Sequence, residues 1–140
     1  MYPNTRIDKI SLINFKNHLN TNLIDLSSFV VLNGNNGSGK TNILEAISLF
    51  SPGRGIKNSR FVEMPNKDRG QKNFEIKINV KYEAGEIELI RSFSSVEKNK
   101  NYISADNEKI TNFQLLEFIN ILWITPIIEK VLIQSNSEKR

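Results

Sequence analysis

Eight consecutive residues, Gly34-Asn35-Asn36-Gly37-Ser38-Gly39-Lys40-Thr41, carry the densest chemical signal in the 140-residue chain. They fit the pattern G-x-x-x-x-G-K-[ST] without a mismatch. A polyphosphate is a dense anion. It is held best by several backbone N–H groups converging on it with a helix N-terminus behind them. Glycines at 34, 37 and 39 let the backbone take positive φ and approach the phosphates with no Cβ in the way. Lys40 sets a point charge on the β- and γ-phosphates. The Thr41 hydroxyl can fill one coordination position of Mg²⁺, an ion that takes oxygen ligands and keeps several waters. Chance produces the pattern in only about 0.5% of chains this long, so nucleotide binding is the better reading than an accidental Gly/Asn turn.

The pattern needs a strand before it and a helix after it. Phe29-Val30-Val31-Leu32 is apolar on consecutive residues, which predicts a strand buried on both faces, as in a parallel sheet covered by helices. Residues 41–50 place Ile43, Ala46, Ile47 and Phe50 at helical spacing, with Leu44 widening the stripe. Pro52-Gly53 stops that helix.

Composition narrows the alternatives. The chain has no cysteine, which excludes disulfides and thiolate metal sites. His18 is the sole histidine, which argues against a multi-histidine metal site or a Ser-His triad; it reads as a surface residue between Asn17 and Asn20. No basic-then-apolar leader and no apolar run near the ~20 residues of a membrane span occur, so a soluble cytoplasmic protein is expected. The net charge of +4 is concentrated in Arg54, Lys57, Arg60, Lys67, Arg69 and Lys72, opposed there by Glu63 and Asp68. Two readings of this stretch stand side by side: a basic loop facing nucleotide or nucleic acid, or a solvated loop in a lysine-rich chain.

The remaining elements follow in order. Residues 6–15 read as a half-buried strand and residues 21–26 as a second, antiparallel to it. Residues 51–73 lack periodicity and read as a long surface loop. Phe74, Ile76, Ile78, Val80 and Tyr82 alternate with polar residues, a strand with one wet face. Residues 86–93 return from the Ala84-Gly85 turn. Tyr102-Ile103 and Ile110, about the turn Asp106-Asn107, complete an antiparallel meander. Thr111 and Gln114 form a capping box for a helix to about Ile119. Residues 119–124 read as another buried strand. Thr125-Pro126 reads as the start of a final helix with Ile127, Ile128, Val131 and Leu132 on its apolar face.

Stretches outside the loop carry a resemblance to the RecF family of SMC-like ATPases. Leu12-Ile13-Asn14-Phe15-Lys16-Asn17 is similar to that family's L-x-N-F-[RK]-N strand. The block from Leu32 to Ile47 is similar to G-x-N-G-x-G-K-T-N-[LI]-L-E-A-I. Gly53-Arg54-Gly55, Trp123-Ile124-Thr125-Pro126 and Ser137-Glu138-Lys139-Arg140 resemble further family stretches, in the family's order.

The resemblance implies an α/β fold: the N-terminal part of an ABC-ATPase-like P-loop head, with a mixed sheet that includes an antiparallel meander. It divides the chain into strands, loop and first helix (1–53), basic loop (54–73), meander (74–110) and helix-strand-helix (111–140). It implies ATP and Mg²⁺ as cofactors. It further implies binding of DNA at single-strand/double-strand junctions, RecO and RecR as partners in loading RecA, and ATP-dependent pairing of two heads. Carried over by position, Gly34, Asn35, Asn36, Gly37, Ser38, Gly39, Lys40 and Thr41 hold the phosphates, Lys16 and Asn17 lie near the nucleotide, and Arg54 reaches toward base or ribose. For Lys16 the plainer reading is a strand-end lysine, and for Arg54 a solvated loop residue.

Complete family members carry, further on, an S-x-G signature and an acidic Walker B strand. Neither occurs in these residues. No hydrolysis is therefore expected from them alone, and the half-built sheet should leave apolar surface uncovered. Two other readings remain: a non-catalytic remnant, or a nucleotide-binding module of another SMC-like ATPase.

Overall fold

The computed structural model describes residues 5–126. The helix expected after Pro126 and the Ser137–Arg140 stretch lie outside the described residues.

Six strands form one sheet: β1 (Arg6–Phe15), β2 (His18–Leu23), β3 (Asn73–Tyr82), β4 (Gly85–Ser94), β5 (Lys100–Ala105) and β6 (Glu108–Ile110). Their spatial order is β2-β1-β3-β4-β5-β6, and every neighbouring pair is antiparallel. Alternation fixes the faces. Ile76, Ile78 and Val80 of β3 point inward with Ile10 and Leu12 of β1 and Leu89 and Phe93 of β4, all buried. The expected meander is present, with its Asp106-Asn107 turn at positive φ on both residues (45° and 69°), as a tight two-residue hairpin requires.

Among the described residues one helix of regular length, α1 (Lys40–Ser48), packs on the inner face. Ile43, Ala46, Leu49 and Phe50 enter the core. The loop between α1 and β3 is less free than its composition predicts. Phe61 stacks on Phe74 (centroids 6.4 Å apart) and Phe93 (6.3 Å), and Met64 is buried. Lys16 N donates to the Met64 carbonyl at 2.7 Å and Asn66 N to that of Asn14 at 2.8 Å, stitching the loop to the end of β1. Two apolar side chains in a basic stretch suffice to tie it down.

The capping box forms as expected: Thr111 N donates to Gln114 Oε1 (2.9 Å) and Gln114 N to Thr111 Oγ1 (3.2 Å). It opens only a 3₁₀ turn, Gln114–Glu117, rather than a helix reaching Ile119.

Two expected strands do not form. Phe29–Leu32 and Ile119–Ile124 make no ladder with any described strand. Far from being buried on both faces, Phe29 is 82% exposed, Val31 72%, Leu122 98% and Ile124 81%. An extended segment satisfies its backbone only through a neighbour, and no such neighbour flanks either stretch among the described residues. Uncovered apolar surface was expected, and part of it lies here.

Candidate functional site

The phosphate loop runs from Gly34 into the N-terminus of α1. Gly39 caps the helix in a left-handed conformation (φ 96°, ψ 6°), and no acidic side chain enters the first turn to oppose an incoming anion. An open cavity of ≈ 240 Å³ is lined by Asn36, Gly37, Gly39, Lys40, Thr41 and Asn42. Lys40 Nζ donates to the carbonyls of Gly34 (2.6 Å) and Asn35 (2.7 Å), so its charge is held over the mouth of the loop by weak neutral acceptors. A phosphate oxygen is the stronger acceptor for an ammonium group. The positive φ of Gly37 is 83° with open space around it. Gly39 has less room: a Cβ there would strike His18 Nε2 and lie 2.6 Å from Asn17 Oδ1.

That crowding comes from the β1–β2 turn. Asn17 Nδ2 donates to the Gly37 carbonyl at 3.2 Å, and Asn42 Nδ2 to Asn17 Oδ1 at 2.9 Å. His18, expected at the surface, is buried. Its Nε2 lies 3.1 Å from the Gly39 carbonyl and its Nδ1 2.8 Å from Thr21 Oγ1. A carbonyl only accepts, so Nε2 carries the proton and the Thr21 hydroxyl donates to Nδ1. His18 thus braces the loop from behind. Composition pointed the other way; the available signal was Thr21, three residues on, in a strand that starts at His18 rather than at Thr21.

Asn17 therefore meets the phosphate loop. Lys16 does not line the cavity. Its Nζ lies 3.5 Å from Glu45 Oε1, and Lys57 Nζ lies 3.0 Å from Oε2 of the same fully buried carboxylate. A buried carboxylate without hydrogen bonds needs cations beside it, and two lysines from separate loops meet that need. Lys57 also donates to Asn42 Oδ1 at 2.9 Å, tying the basic loop to the first turn of α1. Arg54 is exposed and lies outside the cavity lining.

Comparison with known proteins agrees with this geometry. Residues 6–138 match the AAA ATPase domain family. The chain belongs to that family. Over 137 residues it is 33% identical to the DNA replication and repair protein RecF of Rickettsia prowazekii, covering 98% of this chain and 37% of the relative. It thus spans little more than a third of the length of the curated relatives it matches. A solved structure of the recombination mediator protein RecF with ATP superposes with a TM-score of 0.76 at 22% identity, over 87% of this chain and 33% of that one. A chain from a study of ATP-driven dimerization and DNA-stimulated activation of SMC ATPases superposes at 0.66 and 23% identity, over 91% of this chain and 97% of that one. The fold is that of the N-terminal part of a RecF/SMC head.

The residues of this AAA ATPase chain suit a nucleotide triphosphate. Glycine-lined backbone, an acid-free helix N-terminus and a lysine resting on weak acceptors converge on one cavity. For Mg²⁺ the chain offers the exposed Thr41 hydroxyl. No group of three or more His, Cys, Asp or Glu that could hold a metal exists among the described residues.

The far end of α1 depends on a residue the sequence did not single out. Arg91 of β4 is buried on the inner face, and burial holds its pKa down to about 10. It donates to the Leu49 carbonyl through Nε (3.1 Å) and Nη2 (2.7 Å), and to Asn112 Oδ1 at 2.8 Å. A cation at a helix C-terminus is favourably placed against the helix dipole. Arg91 fixes the helix whose other end forms the phosphate site. Its position in an otherwise apolar inward row (Ile87, Leu89, Phe93) is the signal that marks it.

Proposed function

We propose that this chain is the ATP-binding part of a RecF-like DNA replication and repair ATPase. The observation that carries this reading is the cradle itself: Gly34 to Thr41 held against the helix N-terminus by Asn17 and His18, with Lys40 poised over the opening. ATP binds with its phosphates on the loop N–H groups and Lys40, and Thr41 takes one Mg²⁺ position. Asn17 acts through the Gly37 carbonyl, and Lys16 through Glu45. When the remainder of the head is supplied, two heads pair in an ATP-dependent manner. The assembly binds DNA at single-strand/double-strand junctions and, with RecO and RecR in the cytoplasm, assists RecA loading.

On this reading the polypeptide alone binds ATP without turning it over. Titration of the 140-residue chain with a fluorescent ATP analogue in Mg²⁺ tests the reading. Saturable binding lost at least tenfold in Lys40→Ala supports it. Equal binding by wild type and Lys40→Ala refutes the cradle, and Mg²⁺-dependent turnover abolished by Lys40→Ala refutes the non-catalytic part.

A further inference from the structure

The inner face of the sheet is core. The outer face is polar, and it is not flat. Between β3 and β6 it forms an open concavity of ≈ 490 Å³, lined by Lys77, Lys100, Tyr102, Ser104, Asn107 and Lys109 together with Glu75, Ile90 and Glu97. We propose that this concavity is a track for one strand of nucleic acid, its phosphates on Lys100 and Lys109 and a base on Tyr102. This rests on the DNA-binding part of the reading above and assigns that binding to a surface.

Register places the groups. Lys77, Ile90, Ser104 and Lys109 stand side by side across four strands. At the usual strand spacing Lys77 and Lys109, the two ends of that row, are about 14 Å apart, which sets the width of the concavity. The neighbouring row is Glu75, Ser92 and Tyr102, and the next Ser94 and Lys100. Ile90, Ser92 and Ser104 are buried although they lie on the open face, so the longer side chains around them form walls. Ser92 Oγ is buried there without a hydrogen-bond partner. Tyr102 is 40% exposed, an available ring on an otherwise polar surface.

Charge complementarity selects the occupant. Lys77 is paired with Glu75 at 3.4 Å, whereas Lys100 and Lys109 make no ion pair among the described residues. The track continues beyond the concavity. Ser95 N donates to the Lys72 carbonyl at 2.9 Å, which joins the β4–β5 hairpin to the end of the basic loop. That junction brings Lys72 of the basic loop beside the hairpin that carries Lys98 and Lys100, with Glu97 next to them in sequence. It lies at the end of the sheet where β1 runs into the turn that braces the phosphate loop. Lysines with one stacking aromatic are the elements of a single-strand surface that is tolerant of sequence.

Fluorescence anisotropy of a labelled single-stranded oligonucleotide, titrated with the full chain at several salt concentrations, tests the proposal. Lys100→Glu with Lys109→Glu should weaken binding at least tenfold. It should also lower the slope of log K against log salt by about 1.4, two single-strand phosphate contacts. Tyr102→Ala should weaken binding roughly fivefold or more while Tyr102→Phe retains it. Lys9→Glu, on β1 at the other side of the sheet, should leave it unchanged. ATP binding and the urea midpoint serve as fold controls. If the double variant binds DNA as wild type does while Lys67→Glu with Arg69→Glu and Lys72→Glu abolishes it, the track is refuted and DNA binding stands on the loop alone. If duplex binds more tightly than single strand and Tyr102→Ala has no effect, the single-strand assignment is refuted. If the wild-type chain shows no salt-dependent binding to either, the DNA part of the proposed function falls and the track with it, leaving the ATP cradle untouched.

Discussion

The phosphate loop has two flanks, and they fare differently. On its C-terminal side α1 is held at every level: Ile43, Ala46 and Leu49 in the core, Glu45 between two lysines, the Leu49 carbonyl on Arg91. On its N-terminal side Phe29–Leu32 joins no ladder of the described sheet, and Phe29, Val30 and Val31 are exposed. The hydrophobic patterns of the two segments were equally clear. The difference lies in where each finds its hydrogen bonds. A helix closes them within itself and asks only for one surface to pack on. A strand closes them on neighbours, and a parallel one on neighbours distant in sequence. The meander β3–β6 obeys the same rule from the favourable side, since each hairpin carries its own partner strand.

The strongest test of this contrast is Phe74→Ala. Phe74 touches Phe15 edge-on at 5.3 Å and stacks on Phe93 at 5.9 Å. Removing it from the centre of the meander core should destabilise the chain by about 4 kcal/mol, measured by urea unfolding. A loss below ~1 kcal/mol would mean that the meander is no better packed than the unpaired flank.

Arg91→Ala should come next, at about 3 kcal/mol, because it leaves the Leu49 carbonyl and the Asn112 amide oxygen short of a donor and opens a cavity under α1. Arg91→Met keeps the stem and removes a buried cation with no carboxylate partner among the described residues, so it should cost less. ATP-analogue affinity should fall with Arg91→Ala if the anchored C-terminus of α1 sets the position of its N-terminus. Unchanged affinity would show that the phosphate end is held by the β1–β2 turn alone.

What the sequence disclosed follows the same division. The loop residues, α1, the meander and the Thr111–Gln114 capping box were legible because each is specified within a few residues. Asn17 was singled out only through the resemblance of the strand before it, and the structure sets it against the Gly37 carbonyl. His18, Glu45 and Arg91 were not: each matters through a contact made elsewhere, with Gly39, with Lys16 and Lys57, and with Leu49. Phe61 and Met64 were hidden for another reason, being apolar residues spaced without period in a charged stretch.

Gly39→Ala tests the braced flank at smaller scale. The substitution puts a methyl group at φ 96° and against His18 and Asn17. The expected loss is about 2 kcal/mol in unfolding free energy, together with loss of ATP-analogue binding. Pairing Gly39→Ala with His18→Ala relieves the contact with the imidazole but leaves the one with Asn17 and the dihedral part. Partial recovery of stability should follow, with binding still impaired because the Gly39 carbonyl has lost its donor. Full recovery would mean that the left-handed conformation was not required.

Val31→Ser should have the smallest effect and decides most about the other flank. Burying a valine side chain contributes roughly 1.5–3 kcal/mol, so a strand buried on both faces would lose that and more on receiving a hydroxyl without a partner. Val31 is 72% exposed, and the substitution should change unfolding free energy by no more than about 0.5 kcal/mol. It should also reduce any self-association seen by size-exclusion chromatography, since it shrinks an uncovered apolar surface. A loss of 2 kcal/mol or more would show Phe29–Leu32 buried in solution, and the two flanks of the loop would then be equally well built.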